Sequence, residues 1–162
     1  MLSVEHNIFA QLIPSAVGGA VKNGINISLK HAHRALIFCV TEKAGNATQV
    51  TWTLAQSSGN AGSAAGTGEK AMTAAVPIYI CDDAALTNVF TAATAGVAYV
   101  NAVTASVTQV VVFEITPELC MDVANGFDCV TVNTTDPGGT NSVYAFALIE
   151  PRYNPLPSVY VD

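Results

Sequence analysis

The stretch FDCVTVNTTDPGGTNSVYAFALIE, residues 127–150, decides the fold class, because it holds two strand patterns and a turn. β-Branched and aromatic residues, which favour strands, are concentrated in 127–134 and 142–149. Between them, DPGG (136–139) places proline at the second position and glycine at the third, as a type II turn requires. The pattern predicts that 127–134 and 142–149 are antiparallel partners.

Similar strand patterns recur towards the N-terminus. In 48–56, Val50, Trp52 and Leu54 alternate with threonines, which predicts a half-buried strand with Trp52 in the core. RALIFCVTE (34–42) is a continuous apolar run, which predicts a strand that is fully buried. The remaining predicted strands are 23–29, 75–82, 97–105 and 108–116.

Turn signals separate these strands, and helix signals are few. Asn125-Gly126 is a hairpin signal, because both residues tolerate positive φ. Thr116 and Pro117 suit the cap and the first position of a short helical turn. About eight short strands predict an all-β fold, either a single antiparallel β-sandwich or a jelly-roll-like barrel.

Both ends of the chain are predicted to be extended arms around one β domain. The domain covers 15–153, and 1–14 is expected to be an N-terminal arm or a short helix. The segment 154–162 follows Pro151 and holds two more prolines, so it is expected to be an extended C-terminal arm. Apolar side chains in and beside the arms are candidates for contact with another subunit or a partner protein: Tyr153, Leu156, Val159, Tyr160, Ile8, Phe9 and Leu12.

The composition indicates a protein that packs against other proteins. The 162 residues are 51% hydrophobic and 11% charged, whereas soluble domains have about 25% charged residues. Six scattered Lys and Arg residues and a net charge of −6 argue against a nucleic-acid partner. No run approaches the roughly 20 apolar residues of a membrane span, so no membrane partner is expected. No cleaved export signal is recognisable, so synthesis in a cytoplasm is expected.

The glycine-rich stretch GSAAGTGEKA (62–71) is the strongest candidate for a nucleotide site. A phosphate-binding loop needs glycine directly before lysine, but Glu69 separates Gly68 from Lys70 and would repel phosphate. GTGEKA also fits a loose dinucleotide pattern, which must open a helix in a parallel βαβ unit. The flanking strands are predicted to be antiparallel, so the stretch is interpreted as a loop crossing between strands.

The remaining motifs predict no cofactor, no metal site and no enzyme activity. Cys39, Cys81, Cys120 and Cys129 form no CxxC pair and are expected to be reduced, buried thiols. His31 and His33 are interpreted as polar or interface residues, because no third metal ligand is identifiable. Asp82-Asp83 is read as a turn rather than half of a calcium site, and DVANGFD lacks the spacing of a calcium loop. No nucleophile elbow or HExxH motif is present.

Three segments together resemble a family of small structural proteins of tailed bacteriophages. They are QVTWTLAQSSGNAGSAAGTGEKAM (49–72), MDVANGFDCVTV (121–132) and ALIEPRY (147–153). In that family, a strand ending in glutamine, here Gln56, leads to a small-residue loop closing with G-T-G-x-K-A. An N-G-F-D-C-V segment and a terminal Arg-Tyr follow. The resemblance spans roughly residues 12–153.

The resemblance implies a non-enzymatic decoration, or cement, protein on the outside of a phage head. Its expected partners are the major capsid protein and further copies of itself, most plausibly in a trimer. Repeated weak contacts over a symmetric shell would then stabilise the head through avidity. The alternatives are another virion component, such as a tail tube, neck or spike protein, and a carbohydrate-binding module.

Overall fold

The fold consists of two antiparallel β-sheets packed face to face, in a computed structural model that describes residues 8–45, 48–58, 68–102, 104 and 106–152. This confirms the predicted all-β sandwich. The strands of the described residues are β1 (Ile8–Val17), β2 (Lys22–Asn23), β3 (Ile27–Ser28), β4 (Ala32–Glu42), β5 (Thr51–Ser57), β6 (Glu69–Ala71), β7 (Val76–Cys81), β8 (Thr91–Gly96), β9 (Ala98–Val100), β10 (Thr108–Ile115), β11 (Cys129–Thr134) and β12 (Ser142–Pro151).

The larger sheet, sheet A, has the strand order β1-β12-β4-β10-β7-β8. Its centre is regular: β4 pairs with β12 on one side and with β10 on the other, through long antiparallel ladders. The predicted strand 75–82 corresponds to β7, and Pro77 lies at its second residue. The pairing of β7 with β8 is irregular between Val76 and Ile78, which accommodates the proline.

The second sheet, sheet B, is built around β11 and β5, which pair from Cys129 to Thr134. The short strands β2 and β3 both pair with the outer side of β11, and β6 and β9 both pair with β5. Sheet B is therefore about four strands wide and covers one face of the six-stranded sheet A.

The core lies between the two sheets. Alternate residues of β4, including Ala35, Ile37 and Cys39, point inward and are fully buried. From sheet B, Trp52 and Leu54 enter the same core, and the Trp52 indole Nε1–H donates to Thr41 Oγ1 of sheet A at 3.2 Å. The prediction that the 48–56 strand buries its tryptophan is thus confirmed.

The predicted hairpin between 127–134 and 142–149 is wrong. Strand β11 belongs to sheet B, and β12 pairs with β1 and β4 in sheet A. The DPGG segment does adopt left-handed glycine conformations, with φ of 72° at Gly138 and 54° at Gly139. The predicted turn at DPGG is therefore present, but it connects a strand of sheet B to a strand of sheet A.

The interpretation of 1–14 as an arm or short helix is also wrong from Ile8 onward, because β1 pairs with β12. Two register shifts, between Gln11 and Ile13 and between Ile13 and Ala16, interrupt this ladder and accommodate Pro14. An edge strand tolerates a proline because one side of its backbone needs no partner. Residues 1–7, like 154–162, lie outside the described residues.

Three shorter predictions have mixed outcomes. Segment 23–29 forms the brief pairings of β2 and β3 instead of one continuous strand, and Ile25 between them is exposed. Asn125-Gly126 ends a 3₁₀ turn (Val123–Asn125) instead of forming a hairpin, although Gly126 does have a φ of 80°. The helical turn after Thr116 is confirmed as α1 (Pro117–Cys120).

In the described part of the chain, no helix has the length and apolarity needed to cross a membrane.

Candidate functional site

The outer face of sheet A, which points away from sheet B, is lined with apolar side chains. Strand residues alternate between faces, so the residues between the buried ones of β4 and β12 point outward. No strand or helix of the described chain lies across them. This outer face comprises Phe9, Leu36, Phe38, Tyr79, Phe90, Val112, Phe146 and Leu148.

The aromatic rings on this face form a continuous row across three strands. The rings of Phe38 and Phe146 stack with centroids 4.9 Å apart and an angle of 8° between their planes. Phe9 follows on β1, with its centroid 5.2 Å from that of Phe146. Of the three, Phe9 is the most accessible, at 65% exposure. Such a contiguous apolar surface is typical of a protein contact site.

Beside the aromatic row, the outer face holds a pocket of about 310 Å³. Its apolar wall is made by Leu36, Phe38, Val112 and Phe90, and Phe90 is 45% exposed. The polar residues that complete the lining are Arg34, Glu114 and Tyr79. The pocket is therefore an apolar depression with one charged rim.

The charged rim is an ion-pair cluster centred on Arg34. Its Nη1 lies 3.0 Å from Glu114 Oε1, and its Nη2 lies 3.0 Å from Glu150 Oε2. The Tyr79 hydroxyl donates to the other oxygen of Glu114 at 3.3 Å. The hydrogen bond to Glu114 is the main cause that raises the pKa of Arg34, and Glu150 adds to it. The charged groups of this cluster are therefore paired with one another, and the cluster borders the apolar surface.

The proposed interface residues lie in different environments. Phe9 is on the outer face and Ile8 is half-buried beside the core, whereas Leu12 is 1% exposed and belongs to the core. Leu12 is therefore not available to a partner in this fold. The other four candidates, Tyr153, Leu156, Val159 and Tyr160, lie outside the described residues.

The glycine-rich stretch leads into a strand and not into a helix. Residues 59–67 lie outside the described residues, and β6 begins directly after Gly68 and pairs antiparallel with β5. The Lys70 ammonium pairs with the Asp122 carboxylate and lies 3.7 Å from the centroid of the Phe127 ring. The lysine of GTGEKA is thus held by residues of the DVANGFD segment.

Gln56 joins the same two segments from inside the protein. Its side chain is fully buried, and its Nε2 donates to Ala71 O at 2.7 Å and to Thr73 Oγ1 at 3.2 Å. Its Oε1 accepts a hydrogen bond from the Asp122 backbone N–H at 2.7 Å. Residues of two of the three segments that carry the phage-protein resemblance, 49–72 and 121–132, therefore meet in one place and stabilise the fold there.

The remaining candidate residues have structural positions. His31 lies in a turn, His33 lies on β4, and both are exposed. Asp83 caps its own turn, since its Oδ1 accepts from the Ala85 N–H. Within the described ranges, no group of three or more His, Cys, Asp or Glu side chains is placed to hold a metal ion.

All four cysteines are buried thiols without disulfide bonds, as predicted. Burial raises the pKa of Cys39 and of Cys120, which keeps both protonated at neutral pH. A protonated, inaccessible thiol is a poor nucleophile. The cysteines therefore serve as core residues.

Sequence reasoning missed the outer face, although its signal is present in RALIFCVTE. In that segment the odd and even positions are both apolar, which predicts burial on both faces of the strand. The structure covers one side, with Ile37 and Cys39, and leaves Leu36 and Phe38 on the other. The second apolar face of such a strand is covered either by another part of its own chain or by a partner protein.

Comparisons with known proteins give one distant similarity. No protein-family model and no curated protein matches the chain. The crystal structure of the SPBc2 prophage-derived protein YomS is similar over 88% of this chain and 91% of that chain. The identity is 8% and the TM-score is 0.45, so the similarity transfers no function to this chain. The resemblance to phage structural proteins rests on the three sequence segments.

Proposed function

We propose that this protein is a decoration protein that binds the outside of a tailed-phage head and stabilises the shell. The observation that carries the proposal is the apolar outer face of sheet A, across which no strand or helix of the described residues lies, on a chain with only 11% charged residues. A β-sandwich with one such face has a surface suited to burial against another protein. The resemblance of its three sequence segments to phage structural proteins indicates that this partner is a capsid protein.

The charges of the chain support a protein partner over a nucleic acid. Of its six Lys and Arg residues, Arg34, Lys70 and Arg152 are each paired with a carboxylate, and Lys43 is buried. Phosphate binding needs several accessible cations in one place. We therefore propose a capsid protein and further copies of this chain as partners, and we propose no catalytic role.

The test is binding to whole phage particles, with heads and tails, that lack this chain. Purified protein is added to such particles, and its occupancy is measured by co-sedimentation and cryo-EM. The double variant Phe9→Ser/Phe90→Ser removes the two most exposed aromatic rings of the outer face. If each ring contributes about 1.5 kcal/mol at the contact, binding falls roughly 100-fold.

The matched control is Leu119→Ser, which removes an equally apolar side chain from α1, where Leu119 is 77% exposed. We expect this variant to bind like the unmodified protein. Density on tails instead of heads would support the alternative of a tail, neck or spike component. Unchanged head binding by the double variant would show that the outer face is not the contact surface.

A further inference from the structure

The protein contains two fully buried glutamines with opposite hydrogen bonding. Gln56 is 0% exposed, and its Nε2 and Oε1 both have protein partners. Gln109 is 2% exposed, and neither its Nε2 nor its Oε1 has a hydrogen-bond partner among the described residues. Because buried polar groups in native proteins are nearly always hydrogen-bonded, the environment of Gln109 needs an explanation.

Gln109 belongs to a buried polar cluster at one end of the core, which we call the Gln109 cluster: Thr41, Lys43, Asn101 and Gln109. Gln109 and Thr41 are direct partners across β10 and β4, so their side chains are on the same face. The Asn101 Nδ2 donates to Thr41 Oγ1 at 3.0 Å, and Asn101 Oδ1 has no hydrogen-bond partner in the described chain. The cluster therefore holds three buried polar atoms that have no hydrogen-bond partner among the described residues.

Lys43 adds a charge to the same cluster. The residue is 3% exposed, and its Nζ donates to the carbonyl of Ala102. Burial lowers the pKa of Lys43, although the nearby Asp82 opposes this effect. An ammonium group has three N–H donors, and one bond to a carbonyl leaves two of them for further acceptors.

Reassigning the amide of Asn101 does not resolve the cluster. Exchanging its oxygen and nitrogen would place the oxygen beside the Thr41 hydroxyl and leave the nitrogen unpaired instead. The unpaired set of Gln109 contains both a donor and an acceptor, so no single ion satisfies it. Water donates two hydrogen bonds and accepts two, and it matches this mixed set.

We propose that the Gln109 cluster is an internal hydration site. Ordered water donates to Asn101 Oδ1 and Gln109 Oε1, and further water accepts from Gln109 Nε2. This water completes the polar contacts at the end of the core where Trp52 bridges the two sheets through Thr41. The site is independent of the outer face and of the proposed head binding.

The experiment is a high-resolution crystal structure of the full chain, combined with magnetic relaxation dispersion of water nuclei. We expect water density about 2.7–3.2 Å from Asn101 Oδ1 and from the Gln109 amide. We also expect the number of long-lived internal waters to fall by at least one in Gln109→Leu. Absence of density at both groups, with their side chains bonded directly to protein atoms, would overturn the proposal.

Gln56→Leu is the matched control, because it removes the same amide from a site where protein groups satisfy it. It should retain the long-lived water of the Gln109 cluster but lower the melting temperature by roughly 6 °C. Gln109→Leu should stay within about 3 °C of the unmodified protein, because water leaves with the amide that it satisfied. A clear rise in the melting temperature of Gln109→Leu would mean that the amide was buried dry, and it would refute the hydration site.

Discussion

Replacing Trp52 with alanine tests how the two sheets are held together. The indole is 0% exposed, and Val50 and Leu54 on the same face of the strand are buried beside it. Its Nε1–H donates to Thr41 Oγ1 at 3.2 Å, which is a hydrogen bond from sheet B to sheet A. Trp52→Ala therefore removes the largest fully buried side chain and one link between the sheets at the same time.

The expected loss in the free energy of unfolding is about 3–5 kcal/mol, the range for Trp or Phe to Ala in a core. Thr41 adds little to this loss, because its Oγ1 still accepts a hydrogen bond from Asn101 Nδ2. Domains have total stabilities of roughly 5–15 kcal/mol, so the variant loses a large share of its stability. Trp52→Phe keeps an aromatic ring but lacks the N–H, and it should lose only about 1–2 kcal/mol.

Urea unfolding followed by far-UV circular dichroism measures these losses, since both variants lack tryptophan fluorescence. The unmodified protein has one tryptophan, so its emission reports on this position alone and should be that of a buried indole. The reasoning is refuted if Trp52→Ala loses less than about 1.5 kcal/mol at an unchanged denaturant slope. An emission maximum typical of solvent-exposed indole in the folded protein would refute it equally.

Three further predictions follow from the other contacts. Lys70 is the main cause that lowers the pKa of Asp122, so Asp122→Asn should lower the urea midpoint at pH 7. The carboxylate stabilises the fold only while it is ionised, so this difference should vanish as the pH falls through the lowered pKa of Asp122. Alkylation should label no cysteine in the folded protein and four after nonreducing denaturation, because all four thiols are buried. Deleting residues 154–162 should leave far-UV circular dichroism unchanged, since it removes none of the described strands, and should weaken self-association in analytical ultracentrifugation.

Local strand patterns predicted the position of most strands, because alternation of side chains depends only on neighbouring residues. Trp52 and its neighbours are an example: threonine alternation alone placed the indole in the core. The same reasoning missed β1, where Pro14 and two register shifts break the alternation. A bulged edge strand has no simple period, so its pattern resembles that of an irregular arm.

Pairing between strands could not be predicted, because the same turn chemistry serves two topologies. Positive φ at Gly138 and Gly139 suits a hairpin and also suits a connection between sheets. The structure shows a second demand on these glycines. A Cβ on Gly138 would lie 2.6 Å from Thr48 Oγ1, and a Cβ on Gly18 would lie 2.7 Å from the Gly138 carbonyl carbon. These close approaches involve residues distant in sequence, which a local pattern does not contain.

The outer face illustrates the same limit for the candidate site. A continuous apolar run such as 34–42 requires cover on both faces, but it does not state whether the chain itself or a partner provides that cover. Sheet B covers one face of sheet A. On the other face, Phe38, Phe146 and their neighbours have no strand or helix of the described chain packed across them. The charges beside it are already paired, with Arg34 between Glu114 and Glu150. A partner surface for this face therefore needs apolar side chains more than charges. Under the proposed function, the capsid protein would offer such a surface at every repeat of the shell, and the contacts would add up through avidity.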